Sequence, residues 1–122
     1  MSKWIAFDWP HLQELSRGVK FFDSPEERVC PACHVRSVRA YVYESERAGQ
    51  STYIGYTWCA SCHRCAGSTS PKPPDLTFTD PLLDLPADKR RRLLNEPTET
   101  EMLDYLDRLW DEGVLPQRFF RG

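Results

Sequence analysis

Seven side chains able to ligate a soft or borderline metal ion are gathered in one stretch of the chain: Cys30, Cys33, His34, Cys59, Cys62, His63 and Cys65. All five cysteines fall within 36 residues, as Cys30-Pro31-Ala32-Cys33 and Cys59-Ala60-Ser61-Cys62-His63-Arg64-Cys65. A C-x-x-C turn brings two thiolates to one side of a tight knuckle. Two such knuckles supply the four tetrahedral positions that Zn²⁺ accepts in a closed structural site. Four thiolates leave no position open, so a site of this kind holds the fold together and cannot activate water. The same ligands would accept iron, and a redox-active cysteine pair is the competing chemistry. Two knuckles outside any βαβ context favour a structural metal.

The second knuckle has two registers. Cys59 and Cys62 form one C-x-x-C, and Cys62 and Cys65 form another. In the first register Cys65 is a small buried thiol, or one that touches the site from outside the ligand set. His34 and His63, each beside a knuckle cysteine, are potential replacements for a thiolate, but histidines beside turns are more often plain surface residues. His11 has no partner nearby in the sequence.

The segments that must position these residues are visible around them. Between Cys33 and Cys59 lie 25 residues, somewhat more than the roughly 15 to 20 usual between such knuckles. Arg36 to Tyr43 and Ser51 to Trp58 are rich in β-branched and aromatic residues, and Glu44 to Gln50 contains Gly49 for the reversal, which predicts a hairpin. Two knuckles bracketing a hairpin resemble the zinc-ribbon, or rubredoxin-like, class over about residues 28 to 65. The resemblance implies Cys30, Cys33, Cys59 and Cys62 as ligands, because Trp58-Cys59-Ala60-Ser61-Cys62 continues directly from a strand as the second knuckle of a ribbon does. Cys65 is then spare.

Upstream, Asp8 to Gly18 carries a capping aspartate, an early proline, a closing glycine and Trp9, Leu12 and Leu15 at helical spacing, which predicts a short helix. Phe21 and Phe22 are expected in the core, and Ser24-Pro25-Glu26-Glu27 fits a single capped turn. Downstream, Ala66 to Pro74 is a glycine, serine and proline stretch expected to be a linker or an extended crossing segment. Asp80 to Asp84 suggests a turn of helix, and Pro86 to Asn95 a second helix ending before Pro97. Thr98 to Glu112 is the best-specified element. Thr98 and Glu101 form a capping box, Met102, Leu103, Leu106, Leu109 and Trp110 form one apolar stripe, and Gly113 is placed to end the helix. The tail, Val114 to Phe120, is too apolar to hang free and is expected to fold back as an edge or extended segment.

The expected class is therefore α+β: a zinc ribbon with a two- or three-stranded antiparallel sheet, a short N-terminal helix and C-terminal helices. The predicted segments are 1–27 (helical), 28–66 (ribbon), 67–79 (linker) and 80–122 (helical), in one compact domain, as expected for 122 residues. No run approaches the roughly 18 apolar residues of a membrane span. The residues from Met1 to Asp8 lack a long apolar stretch with a small-residue cleavage site, and the cysteine count is odd, so a cytoplasmic protein is expected.

The net charge of −2 is unevenly placed. Residues 1 to 74 carry nine Lys/Arg against seven Asp/Glu, and residues 75 to 112 carry five against eleven. That balance argues against a basic nucleic-acid-binding domain. The run Lys89-Arg90-Arg91-Arg92 spreads over about 300° of a helix, so it forms no flat patch. No nucleophile motif or phosphate-binding loop appears, so no catalytic residue is named and an enzyme is not expected. The leading expectation is a protein-binding module. Size, acidity and missing catalytic motifs resemble those of small bacterial immunity proteins that accompany polymorphic toxins. That resemblance implies a cognate toxin as partner, with Glu99, Asp104, Asp107 and Asp111 as contacts to a basic, nuclease-like surface. The alternative is nucleic-acid recognition by the ribbon, through Arg36 and Arg39 with Tyr41 and Tyr43 as stacking surfaces. Strand alternation places Arg39, Tyr41 and Tyr43 on one face.

Overall fold

The computed structural model describes residues 3–17, 25–47, 49–71, 75–95 and 99–121. The chain is α+β. Its centre is a five-stranded sheet of order β1-β5-β4-β3-β2, from β1 (Ile5–Ala6), β2 (Arg28–Val29), β3 (Arg36–Arg47), β4 (Gln50–Cys59) and β5 (Arg64–Pro71). A second, two-stranded sheet pairs β6 (Leu76–Phe78) with β7 (Phe119–Arg121). Three α-helices, α1 (Trp9–Arg17), α2 (Ala87–Asn95) and α3 (Glu99–Asp111), and a 3-10 turn over Pro81–Asp84 complete the fold.

The sheet is wider than the two or three strands expected from the sequence, and it is mixed: β1 runs parallel to β5, while the other pairs are antiparallel. The hairpin is also longer than expected, with strand pairing continuing to Arg47 and Gln50. Gly49, at φ +78, supplies the left-handed residue that so tight a reversal needs. Gly67 to Pro71, expected as part of a linker or crossing segment, is instead the second half of β5, laid along β4 from Tyr56 to Thr52. Its composition carries no strand signal. A neighbouring strand with free backbone groups recruits it, because pairing those groups outweighs the weak intrinsic preference of glycine and serine. Pro25 to Glu27 contains no helical turn. Phe21, Phe22, Ser24 and Thr98 lie outside the described residues.

The pleat sends alternate side chains to opposite faces of the sheet, and each face has its own cover. On one face, Tyr41 and Trp58 meet the apolar stripe of α3 (Met102, Leu103, Leu106 and Leu109), with Trp4, Leu82 and Leu115 closing the cluster. On the other face, at the knuckle end, Phe7, Cys30, Val38 and Cys59 pack against Leu12 and Leu15 of α1. Farther along that face, Val42 and Tyr53 pack on Leu76, Phe78 and Phe119 of the small sheet. The stripe read from the sequence is thus the core face of α3. The helix closes as expected, with Gly113 at φ +81 and bonds from Gly113 N to Trp110 O and from Val114 N to Leu109 O. The tail folds back as expected and ends in β7.

Gln117 shows how that tail is held. It is buried, accepts from Val42 N at 3.0 Å, and donates through Nε2 to Val42 O and Thr79 O, both at 2.8 Å. The side-chain amide thereby takes the place of a neighbouring strand where the outer edge of β3 has run past β2. Replacing Gln117 with Ala leaves these buried backbone groups without partners. A loss of about 2 kcal/mol is expected in urea titration, with no change in the slope of the transition.

Candidate metal centre

Each knuckle is delivered by a strand. β2 runs into Cys30, the turn Pro31-Ala32-Cys33 reverses the chain, and Cys30 N closes the turn on Val35 O at 2.8 Å. β4 ends at Cys59, the turn Ala60-Ser61-Cys62 follows, and β5 leads away. The pairing of Val38 with Cys59 sets the second knuckle beside the first, and Ala60 N donates to Ser37 O at 3.0 Å. One thiol sulfur from each of Cys30, Cys33, Cys59 and Cys62 lies within 4.8 Å of all the others. This is the ligand set implied by the ribbon resemblance.

The turns repeat each other. The N–H of His34 reaches Cys30 O at 2.8 Å, and that of His63 reaches Cys59 O at 2.9 Å. Both histidines sit in the left-handed region, at φ 65 and 64. These are the positions where each knuckle turns back, and histidine is one of the few residue types other than glycine that enters this region with some frequency. Neither histidine belongs to the sulfur cluster. The His63 ring instead packs edge-on against Trp4, with centroids 5.4 Å apart, and His11 lies edge-on to Phe7.

The distances suit a tetrahedral ion. Cys30 Sγ and Cys62 Sγ are 3.7 Å apart, and Cys33 Sγ and Cys59 Sγ are 3.6 Å apart. A tetrahedron of Zn–S bonds has an edge of about 3.8 Å. The spacing therefore needs almost no rearrangement to hold Zn²⁺ or another ion of the same geometry. Cys30 and Cys59 are fully buried, while Cys33 and Cys62 are partly exposed.

Hydrogen bonds prepare the sulfurs unequally. Cys59 Sγ faces the Ser37 hydroxyl at 3.0 Å and accepts from Cys62 N at 3.4 Å. Burial raises its pKa, but the backbone of Cys62, the Ser37 hydroxyl, the backbone of Ser61 and the Cys62 thiol outweigh burial and bring it down to about 6. Cys30 accepts from Ala32 N at 3.4 Å, yet burial dominates and pushes its thiol up to about 12. Before a metal arrives, the negative charge is thus stabilised on Cys59.

Cys65 is outside the cluster. It pairs with Trp58 across the β4–β5 ladder, so it projects to the face opposite Cys59, against the α3 core. The register that would use Cys62 and Cys65 is excluded by the pleat.

The partner-surface residues read from the sequence have mixed positions. Glu99 opens α3, and its side chain lies outside the described residues. Asp104 is exposed, accepts from Trp4 Nε1 at 2.9 Å and pairs with Lys3. Asp107 is largely covered. Its Oδ1 accepts from Trp58 Nε1 and Arg39 Nη1, both at 2.8 Å. Asp111 is exposed and pairs with Arg39 at 3.0 Å. Of the nucleic-acid candidates, Arg36 is exposed and Tyr43 partly so. Arg39 is only 12% exposed and is also tied to Glu27 at 3.0 Å, and Tyr41 is buried with its hydroxyl donating to Asp80 at 2.7 Å. Arg39, Tyr41 and Tyr43 do share a face, and that face is the one covered by α3.

The inner contacts of Arg39, Ser37, Asp107 and Trp58 escaped the sequence reading because each joins residues far apart in the chain. The available signal was an arginine in strand alternation with buried aromatics, which calls for a carboxylate on whatever covers it. Among the described residues, no helix is long and apolar enough to cross a membrane. No family model, curated protein or solved structure matches the chain.

Proposed function

We propose that the chain is a non-catalytic, zinc-stabilised module that binds a protein partner. The observation that carries the metal half of this reading is the convergence of four cysteine sulfurs at tetrahedral spacing, on two knuckles with matching backbone turns. Zinc is the ion favoured by an all-thiolate set in a structural setting, and the four sulfurs leave it no position for water. The metal would clamp β2, β4 and β5 at one end of the sheet.

The partner half rests on what surrounds that end. Ile5, Trp9, Val29 and Val35 are 51%, 70%, 55% and 47% exposed, and all four belong to segments flanking the knuckles. Exposed apolar side chains held on a rigid scaffold are a usual feature of protein-binding surfaces. On α3 and just beyond its end, Glu101, Asp104, Asp111 and Glu112 are exposed. They fit a basic partner, such as the nuclease-like toxin that a small immunity protein would block. Nucleic acid is less favoured, because Tyr41 and Arg39 are engaged inside the fold.

The test is capture of partners by the zinc-loaded chain from its native lysate, with and without nuclease, alongside the variants Trp9→Ala and Asp111→Lys. One stoichiometric protein retained after nuclease and lost from a variant supports the reading. Retention of nucleic acid, with every protein lost on nuclease treatment, overturns it in favour of the arginine-bearing face of the ribbon.

A further inference from the structure

Ser37 touches both knuckles, and it does so through three different groups. Its N–H donates to Val35 O at 2.9 Å, the same oxygen that closes the first knuckle by accepting from Cys30 N at 2.8 Å. Its C=O accepts from Ala60 N, inside the second knuckle, at 3.0 Å. Its hydroxyl lies 3.0 Å from Cys59 Sγ. The residue is only 8% exposed, and among the described residues the hydroxyl has no other hydrogen-bond partner.

The two backbone bonds do not depend on the side chain, so the hydroxyl is what serine adds at this position. Its part is fixed by the state of the sulfur. A thiol can donate or accept, whereas a metal-bound thiolate carries no proton and can only accept, so the hydroxyl must donate once an ion is held. A divalent ion with four thiolates carries an excess of negative charge. Cys59 is fully buried, so water cannot meet the share of that charge on its sulfur, and protein donors have to. Cys62 N contributes from 3.4 Å, farther away than the hydroxyl.

We propose that Ser37 is a positioning residue of the metal centre: its hydroxyl donates to the Cys59 thiolate, offsets the charge on that buried sulfur and so sets how tightly the site retains its ion. This rests on the metal reading above.

The experiment compares the full chain with Ser37→Ala and Ser37→Thr, each loaded with zinc or with Co²⁺ and checked for stoichiometry by its intact native mass. Ser37→Ala deletes the hydroxyl alone and leaves both backbone bonds in place. Its zinc affinity, measured by competition with a chromophoric chelator, is expected to fall about tenfold. In the cobalt form the sulfur-to-metal charge-transfer absorption reports on the sulfur electrons directly. Loss of a donor raises the sulfur lone pairs in energy, so the band is expected to move to longer wavelength in Ser37→Ala. Ser37→Thr keeps a hydroxyl and is expected to restore both the affinity and the band.

A fall in affinity with the band unmoved means that Ser37 acts by packing alone and overturns the proposal. An unchanged affinity in Ser37→Ala, or a Thr variant that behaves like the Ala variant, also overturns it. A chain that takes up neither ion removes the metal reading and this proposal together. Full loading with Ser37→Ala unchanged in both measurements removes this proposal alone.

Discussion

Stripping the metal with a strong chelator is expected to lower the melting temperature by roughly 15 °C or more, with the largest loss of amide protection at Cys30, Val38 and Cys59. Structural zinc contributes on the order of 10 kcal/mol, about the whole stability of an ordinary domain. The knuckle end has little else to hold it. Its core consists of Phe7, Val38 and the two buried cysteines, with Leu12 and Leu15 leaning on them. The α3 core is separate and is closed by large side chains on the other face. Residual helical signal is therefore expected after chelation, while the β2 and β4 ends open. Thermal melting by circular dichroism and hydrogen exchange, with and without chelator, check this. An unchanged melting temperature would show that the four sulfurs hold nothing that matters to stability.

Acid should act in the same direction by a different route. In the metal-free fold Cys59 has a pKa of about 6 against an ordinary 9.0. A depressed thiol pKa contributes stability in full above pH 9, and that contribution is lost as the pH falls through about 6. Cys30 has the opposite sign. At about 12 against 9.0, its buried neutral thiol stabilises the metal-free fold below pH 9, and this is lost as pH rises through about 12. Metal binding must remove that proton, so zinc affinity is expected to fall steeply as the pH is lowered, which competition with a chromophoric chelator would measure.

The second large effect is expected at Asp107. Its replacement by Ala should cost about 3 to 5 kcal/mol, because one carboxylate serves two covered donors on the sheet. Trp58 is fully buried and donates its indole N–H to Asp107 Oδ1, and Arg39, 12% exposed, donates to the same oxygen. Burial works against the charge of Arg39, but hydrogen bonding and charge from Glu27 and Asp107 outweigh it and raise its pKa. Removing Asp107 strands the indole N–H and leaves the guanidinium with Glu27 and the exposed Asp111. Asp107→Asn retains an acceptor oxygen of the same shape, so it should recover part of the loss. Urea titration of the two variants separates the roles: equal losses would mean that the charge, not the acceptor, is what the site requires. The same network explains why Asp107 is a poor choice for a contact with another protein. It is already held inside the molecule.

Local chemistry determined much of this protein from the sequence alone. A C-x-x-C turn needs only four consecutive residues to aim two sulfurs the same way, so both knuckles could be read directly. A helix announces itself by a period of 3.6 residues, and the stripe from Met102 to Trp110 together with Gly113 defined α3 with its core face. The hairpin followed from two β-branched and aromatic runs around Gly49. Tertiary structure decided the rest, because the deciding contacts join distant residues. The choice between Cys59–Cys62 and Cys62–Cys65 is undetermined by spacing, since both are C-x-x-C. It is made by the pleat of β4 and β5, which sends Cys65 to the face opposite Cys59. The strands β1 and β5 have weak signals of their own; β5 exists because the edge of β4 offers backbone partners, and β1 because β5 then offers its own. The docking of α3 turned Arg39, Tyr41 and Asp107 from candidate surface residues into internal ones, because a charge or phenol covered by a helix must find its hydrogen-bond partner there.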